Sequence, residues 1–222
     1  MSINTVVFDM DGTVLNTLYD LTASVNHVLT QFGMPLRRQD EYRMFFGNGI
    51  RFAIKCAAPE GTSDETLDRM LPVFREHYDA HCLDNTRPYD GIPELMRRLK
   101  VDGYKIAIVS NKIDSAVKEL HERFFSDCVD VAIGEQEGIR RKPAPDMVME
   151  ALRLLDSKQE EAIYIGDSEV DIQTADNSGL DCISVLWGFR DRELLIKNGA
   201  KVFAETPMDV YDIVAQQGRI EY

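Results

Sequence analysis

The sequence predicts an α/β fold, in which a parallel sheet is flanked by helices and a separate helical segment follows the first strand. Three observations support this class. Short apolar runs alternate with helix-periodic segments through the second half of the chain. One apolar run stands alone near the N-terminus, before a long stretch without strand patterns. A chain of 222 residues, 44% of them hydrophobic, can bury the core that such a domain needs.

The first strand is predicted at Thr5–Phe8, because these residues are apolar or β-branched and Asp9, Asp11 and Gly12 follow directly. Two helices are then predicted by apolar spacing near residues 21–32 and 67–78.

No strand pattern is recognised between residues 16 and 88. We therefore expect residues 16–88 to form a helical domain, inserted into a core domain made of residues 1–15 and 89–222.

After Pro88, helical periodicity and short apolar runs alternate. Helices are predicted near 92–99, 114–124 and 145–155, and strands at 106–109, 129–133, 162–165, 182–185 and 201–203. Such alternation implies a parallel sheet with helices on both faces. Loops at the carboxyl ends of parallel strands converge, so ligands bind there.

Polar residues follow three of the predicted strands. Asp9 and Asp11 come after the first strand, Ser110 and Asn111 after the second, and Asp167 after the fourth. Gathered carboxylates repel one another and raise each other's pKa, so a cation is needed to keep them ionised. Oxygen ligands suit Mg²⁺, which also binds substrate phosphates. The sequence therefore predicts a phosphate site with a divalent cation.

Two further residues fit the same chemistry. Lys142 stands just before a proline-marked helix start, and Asp171 lies one helical turn after Asp167. A lysine can neutralise a transferring phosphoryl group. Asp9 could then attack phosphorus, and Asp11 could protonate the leaving oxygen.

Four segments resemble the motifs of the haloacid-dehalogenase-like phosphatases: residues 9–17 (DMDGTVLNT), 109–112 (VSNK), 142–143 (KP) and 166–171 (GDSEVD). The resemblance covers essentially the whole chain. It implies a Rossmann-like core and an inserted α-helical cap domain, in agreement with the segment 16–88.

The resemblance also implies a role for each matching residue. Asp9 is expected to be the nucleophile that becomes an aspartyl phosphate, and Asp11 the acid and base. Asp9, the backbone carbonyl of Asp11 and Asp167 would hold Mg²⁺, and Asp171 would orient metal-bound water or Lys142. The residues implied in holding the phosphoryl group or the substrate are Ser110, Lys142, Gly12, Thr13, Asn111 and the cap residues Gly47, Asn48 and Gly49.

Within that family the chain is most similar to bacterial phosphoglycolate phosphatases, at residues 42–49, 87–91, 109–112 and 187–190. This similarity implies hydrolysis of 2-phosphoglycolate, with Arg51 either paired to the substrate carboxylate or solvated. Pyrophosphatase, nucleotidase and sugar-phosphate phosphatase activities stay open as alternatives. Phosphosugar mutases are disfavoured, because they carry a histidine where this chain reads Leu18-Tyr19-Asp20-Leu21. A catalytically silent binding protein and a receiver-like signalling protein are alternatives of another class.

Composition and charge exclude other partners. The formal net charge is −13 and no basic run occurs, so neither nucleic acid nor an anionic membrane is expected as a partner. Residues 1–8 lack a leader pattern, no apolar run reaches the ~18 residues of a membrane span, and the four cysteines form no dense framework. We expect a cytoplasmic protein that acts on a small phosphorylated metabolite. The pair His77 and His81 is expected on a solvated helix face, and the oligomeric state is not predicted.

Overall fold

The structure is a computed structural model that describes residues 3–217. Its strands are β1 Thr5–Phe8, β2 Leu15–Asn16, β3 Arg87–Pro88, β4 Lys105–Ile113, β5 Val131–Glu135, β6 Ala162–Gly166, β7 Asp181–Val185 and β8 Val202–Ala204. Its helices are α1 Leu18–Gln31, α2 Gln39–Tyr42, α3 Ile50–Ala57, α4 Asp64–His81, α5 Ile92–Val101, α6 Asp114–Phe124, α7 Asp146–Leu154, α8 Glu169–Ser178, α9 Arg192–Lys197 and α10 Pro207–Gln217.

Six strands form one sheet in the order β5-β4-β1-β6-β7-β8, and their pairings are parallel. The side chains of β1 alternate between two buried clusters, with Val6 and Phe8 in one and Val7 in the other. A sheet that is apolar on both faces needs helices on both sides. The predicted α/β class is confirmed.

The chain divides into two compact units, one made of Met1–Leu15 with Pro88–Tyr222 and the other of Asn16–Arg87. In the second unit α1 packs against α4. The buried Asp20 carboxylate ties the two ends of this unit together, because it accepts hydrogen bonds from the backbone N–H groups of Asn85 and Thr86. Among residues 3–217, no helix has both the length and the apolar character that crossing a membrane requires.

Three details differ from the sequence predictions. The two-residue strands β2 and β3, too short to show alternation, pair with each other at the ends of the region predicted to be free of strands. Strand β4 continues through residues 110–113 instead of ending at Val109, and its pairing with β5 shifts register there.

The third difference concerns His77, which is half-buried. Its ring stacks on His27 at 4.1 Å between centroids, and its Nδ1 lies 3.0 Å from Ser24 Oγ. The expected solvated face was wrong for His77, because α1 covers it.

Candidate active site

Three carboxylates meet at the carboxyl edge of the sheet. Asp9 follows β1, Asp167 follows the neighbouring strand β6, and Asp171 lies in the first turn of α8. One oxygen of each lies within 4.8 Å of the others, and all three side chains are buried. The chain order of the parallel strands brings together residues that are about 160 positions apart.

Lys142 is buried among these carboxylates. Its Nζ donates to Asp9 Oδ1 at 2.6 Å, to Asp171 Oδ1 at 2.8 Å and to Tyr164 Oη at 3.0 Å. Burial lowers the pKa of Lys142, but Asp171 and Asp9 more than offset this and raise it well above its ordinary value. The lysine is therefore a fixed ammonium group inside the site.

One ammonium group does not balance three carboxylates. Burial raises the pKa of Asp9 well above its ordinary value, against the pull of Lys142, and Asp171 and Asp167 add to the rise. Burial and Asp171 raise the pKa of Asp167 to about 7. A donor set made only of carboxylate oxygens suits a hard divalent cation, which would supply the missing positive charge.

Two glycines make room for the Asp167 carboxylate. A Cβ at Gly12 would lie 2.4 Å from Asp167 Oδ2, and a Cβ at Gly188 would lie 2.3 Å from Asp167 Cβ. Gly12 also has a φ of +89°, which side-chain-bearing residues rarely adopt. The loops after β1 and β7 therefore pack closely around this carboxylate.

Hydrogen bonds orient the carboxylates further. The Phe189 N–H donates to Asp167 Oδ2 at 2.6 Å. The Thr13 hydroxyl lies 3.4 Å from oxygens of both Asp9 and Asp167. Asp171 uses one oxygen for Lys142 and accepts with the other from the Ser168 N–H and hydroxyl, in a capping box at the start of α8. The first turn of α8 thus fixes the position of Asp171, and Asp171 in turn holds Lys142.

The end of β4 supplies the remaining core residues. Ser110 and Asn111 are buried, and Asn111 Nδ2 donates to the Lys142 carbonyl at 3.0 Å. Lys112 forms an ion pair with Asp11, with Nζ 3.0 Å from Oδ1. The register shift in β4 accompanies this change from an apolar strand to polar residues.

The predicted loop Gly47, Asn48 and Gly49 belongs to the helical unit, directly before α3. Its glycines have φ angles of +117° and +80°, so they hold a backbone turn. Arg51 follows this loop and pairs with Asp64 and Asp68 at 2.9 Å each. Its guanidinium is therefore engaged within the helical unit.

Sequence reasoning missed several contributors. Tyr164 donates to Asp171 Oδ1 at 3.1 Å from inside an otherwise apolar strand, and its lone hydroxyl was the only available signal. Arg190 is 1% exposed and bonds both oxygens of Glu169, at 2.7 and 3.0 Å, which joins the loop after β7 to α8. The Phe189 N–H is a backbone group, so no side-chain pattern could have indicated it.

A parallel sheet with a buried carboxylate cluster at the ends of its adjacent strands β1 and β6, and a buried lysine among those carboxylates, has the features of an α/β enzyme. The chain belongs to the haloacid dehalogenase-like hydrolase family, whose model matches residues 6–185. The predicted family is confirmed.

Individual relatives span nearly the whole chain. A phosphoglycolate phosphatase of Mesorhizobium japonicum is 34% identical over 87% of this chain and 87% of its own length. The pyrophosphatase PpaX of Halalkalibacterium halodurans is 30% identical over 99% of this chain and 100% of its own. A crystal structure from Lactobacillus delbrueckii subsp. bulgaricus, provisionally assigned as a phosphoglycolate phosphatase, has 38% identity and a TM-score of 0.92, and the match covers 96% of this chain and 99% of the other.

Proposed function

We propose that this protein is a Mg²⁺-dependent phosphatase that hydrolyses a small phosphate monoester, with 2-phosphoglycolate as its substrate. The observation that carries the proposal is the 2.6 Å contact between Lys142 Nζ and Asp9 Oδ1, inside a carboxylate cluster suited to a divalent cation. Phosphoglycolate phosphatases among the relatives support the substrate. A cytoplasmic location belongs to the same proposal.

In the first step an oxygen of Asp9 attacks phosphorus and the bond from phosphorus to the ester oxygen breaks. Asp11 gives its proton to that oxygen, so glycolate leaves with a hydroxyl group. Lys142 and the residues Thr13, Ser110 and Asn111 hold the phosphoryl oxygens. When bound by Asp9, the Asp11 carbonyl and Asp167, Mg²⁺ supplies charge neutralisation for the phosphoryl group.

In the second step Asp11, now a carboxylate, takes a proton from water as the water attacks the aspartyl phosphate. The bond between phosphorus and the Asp9 oxygen breaks, which releases phosphate and restores Asp9. Asp171 keeps Lys142 in place through both steps, because its 2.8 Å contact is held by the capping box of α8.

Inorganic pyrophosphate is the second candidate substrate, since a pyrophosphatase aligns over the full length of the chain. In either case, we assign residues 16–88 to a cap that selects the leaving group, with Gly47, Asn48 and Gly49 as its substrate loop.

The proposal is tested by measuring phosphate release with Mg²⁺ from 2-phosphoglycolate, pyrophosphate, nucleoside monophosphates and sugar phosphates. We expect 2-phosphoglycolate to have the highest kcat/KM and EDTA to abolish turnover. A higher kcat/KM for pyrophosphate would show that pyrophosphate, and not 2-phosphoglycolate, is the preferred substrate. If none of these compounds is hydrolysed, the proposal that the protein is a phosphatase is refuted.

Mg²⁺ affinity should depend on pH. Because the folded pKa of Asp167 is raised from an ordinary 3.8 to about 7, the contribution of this group to the stability of metal-free protein is full below about pH 4 and is lost as pH rises to about 7. Below that pH, binding must displace the Asp167 proton, so we expect affinity to rise by roughly tenfold per pH unit or more as pH rises toward about 7. Calorimetry in two buffers of different ionisation enthalpy measures both affinity and proton release. An affinity that is flat from about pH 5.5 to 8 would contradict this prediction.

Tyr164→Phe should slow catalysis while leaving the fold intact. The change removes the hydroxyl that contacts Lys142 and Asp171 but keeps the ring. We expect kcat to fall about tenfold, the usual effect of one hydrogen bond to a charged group. Tyr211→Phe is the matched control, since it removes a tyrosine hydroxyl bonded to the surface carboxylate of Asp102. Equal kcat values for the two variants would exclude a positioning role for Tyr164.

A further inference from the structure

A second buried lysine lies in the core unit and has no role in the mechanism above. The Lys112 side chain is 6% exposed, and its Nζ lies 3.0 Å from Asp11 Oδ1, on a carboxylate that is 19% exposed. Burying an ammonium group is costly unless it is paired, so the fold holds this cation beside Asp11 against a desolvation penalty.

The position of Lys112 relates it to one part of the substrate. Asp11, as the proton donor, must come within about 3 Å of the leaving oxygen. Because Lys112 Nζ lies 3.0 Å from Asp11, it lies within about 6 Å of that oxygen, a distance that a charged group one or two bonds beyond the oxygen can bridge. Lys142 is not available for this contact, because Asp9, Asp171 and the phosphoryl group occupy it.

We infer that Lys112 is a specificity residue that selects leaving groups carrying a negative charge next to the ester oxygen. The inference rests on the proposed function. The carboxylate of 2-phosphoglycolate and the departing phosphate of pyrophosphate both have this charge, whereas a sugar or nucleoside does not.

The same ion pair links selection to catalysis. With no substrate, Lys112 is paired with Asp11. An anionic leaving group gives the ammonium a further negative partner and so brings its ester oxygen beside Asp11. A neutral leaving group provides no such exchange. Arg51 is a weaker candidate for the same task, because Asp64 and Asp68 already pair with it.

A matched pair of esters tests the inference: 2-phosphoglycolate and the phosphate ester of glycolamide, which differ in the charge of the leaving group. The readout is the ratio of their kcat/KM values. We expect the wild type to prefer the charged ester, and Lys112→Met to lower the ratio by about tenfold or more, as expected for a lost charged contact. Lys118→Met is the control for charge, since Lys118 is 64% exposed and paired with Asp114.

Three outcomes are distinguishable. If the wild type hydrolyses neither ester, the proposed function fails. If Lys112→Met hydrolyses both esters with the wild-type ratio, the inference fails and the phosphatase stands. Should Lys112→Met not fold, product inhibition of the wild type decides: stronger inhibition by glycolate than by glycolamide supports a cation at the leaving group, and equal inhibition overturns it.

Discussion

Asp9→Asn should reduce kcat by about 10⁴-fold or more, because the amide cannot serve as the attacking oxygen and the replaced carboxylate is the nucleophile of the first step and the leaving group of the second. The free energy of unfolding should stay equal or increase at neutral pH. Burial raises the pKa of Asp9, so the fold disfavours its charge, and the neutral isostere removes that penalty. Phosphate release and chemical denaturation measure the two effects on one preparation.

Lost activity with retained stability would show that the Asp9 carboxylate is needed for catalysis and not for folding. Thr5 is a buried polar residue of β1, the strand that Asp9 follows, and it allows a control: Thr5→Val removes a polar group without touching the carboxylates. Asp9→Asn with more than about a hundredth of wild-type kcat would exclude nucleophilic attack by this residue.

Lys142→Met should affect stability as well as activity. The change leaves Asp9 and Asp171 buried without their shared ammonium partner, a situation that costs about 3–5 kcal/mol of unfolding free energy. We expect the loss to be larger at about pH 8 than at about pH 5, because Asp9, whose pKa is already raised by burial, can take up a proton at low pH. Denaturant titration at both pH values measures this difference.

A double variant sharpens the test of the lysine. Adding Asp9→Asn to Lys142→Met removes one of the two unpaired carboxylates, so the double variant should be more stable than Lys142→Met alone. Activity should remain absent. Equal stability of Lys142→Met and the wild type at both pH values would contradict the ion pairs with Asp9 and Asp171.

Much of the core fold was predictable because its signals are local. Strands β1 and β6 are short apolar segments followed at once by acidic residues, and the pattern places Asp9 and Asp167 at the sheet edge. The alternation of strands and helices implies a parallel sheet, and in a parallel sheet the carboxyl ends of neighbouring strands lie along the same edge. The extension of β4 was not predictable, since it depends on pairing with β5 across a register shift.

The contacts that complete the site come from tertiary structure. The Phe189 N–H meets Asp167 across 22 positions, and Tyr164 meets Lys142 across the same number. Neither spacing has a periodic signature. His77 illustrates the same limit, because a helix face that looks solvated in sequence becomes half-buried when α1 packs on it.

In the proposed mechanism a phosphoryl group is carried transiently on Asp9. The most direct test uses the Asp11→Asn variant with p-nitrophenyl phosphate, a substrate whose leaving group departs without a proton donor. Attack by Asp9 should then proceed, while the second step lacks its base and slows. We predict a burst of one equivalent of nitrophenolate per site, and borohydride reduction during the burst should convert residue 9 to homoserine. A linear progress curve with no burst, together with an unmodified residue 9, would exclude a phosphoryl group carried on Asp9.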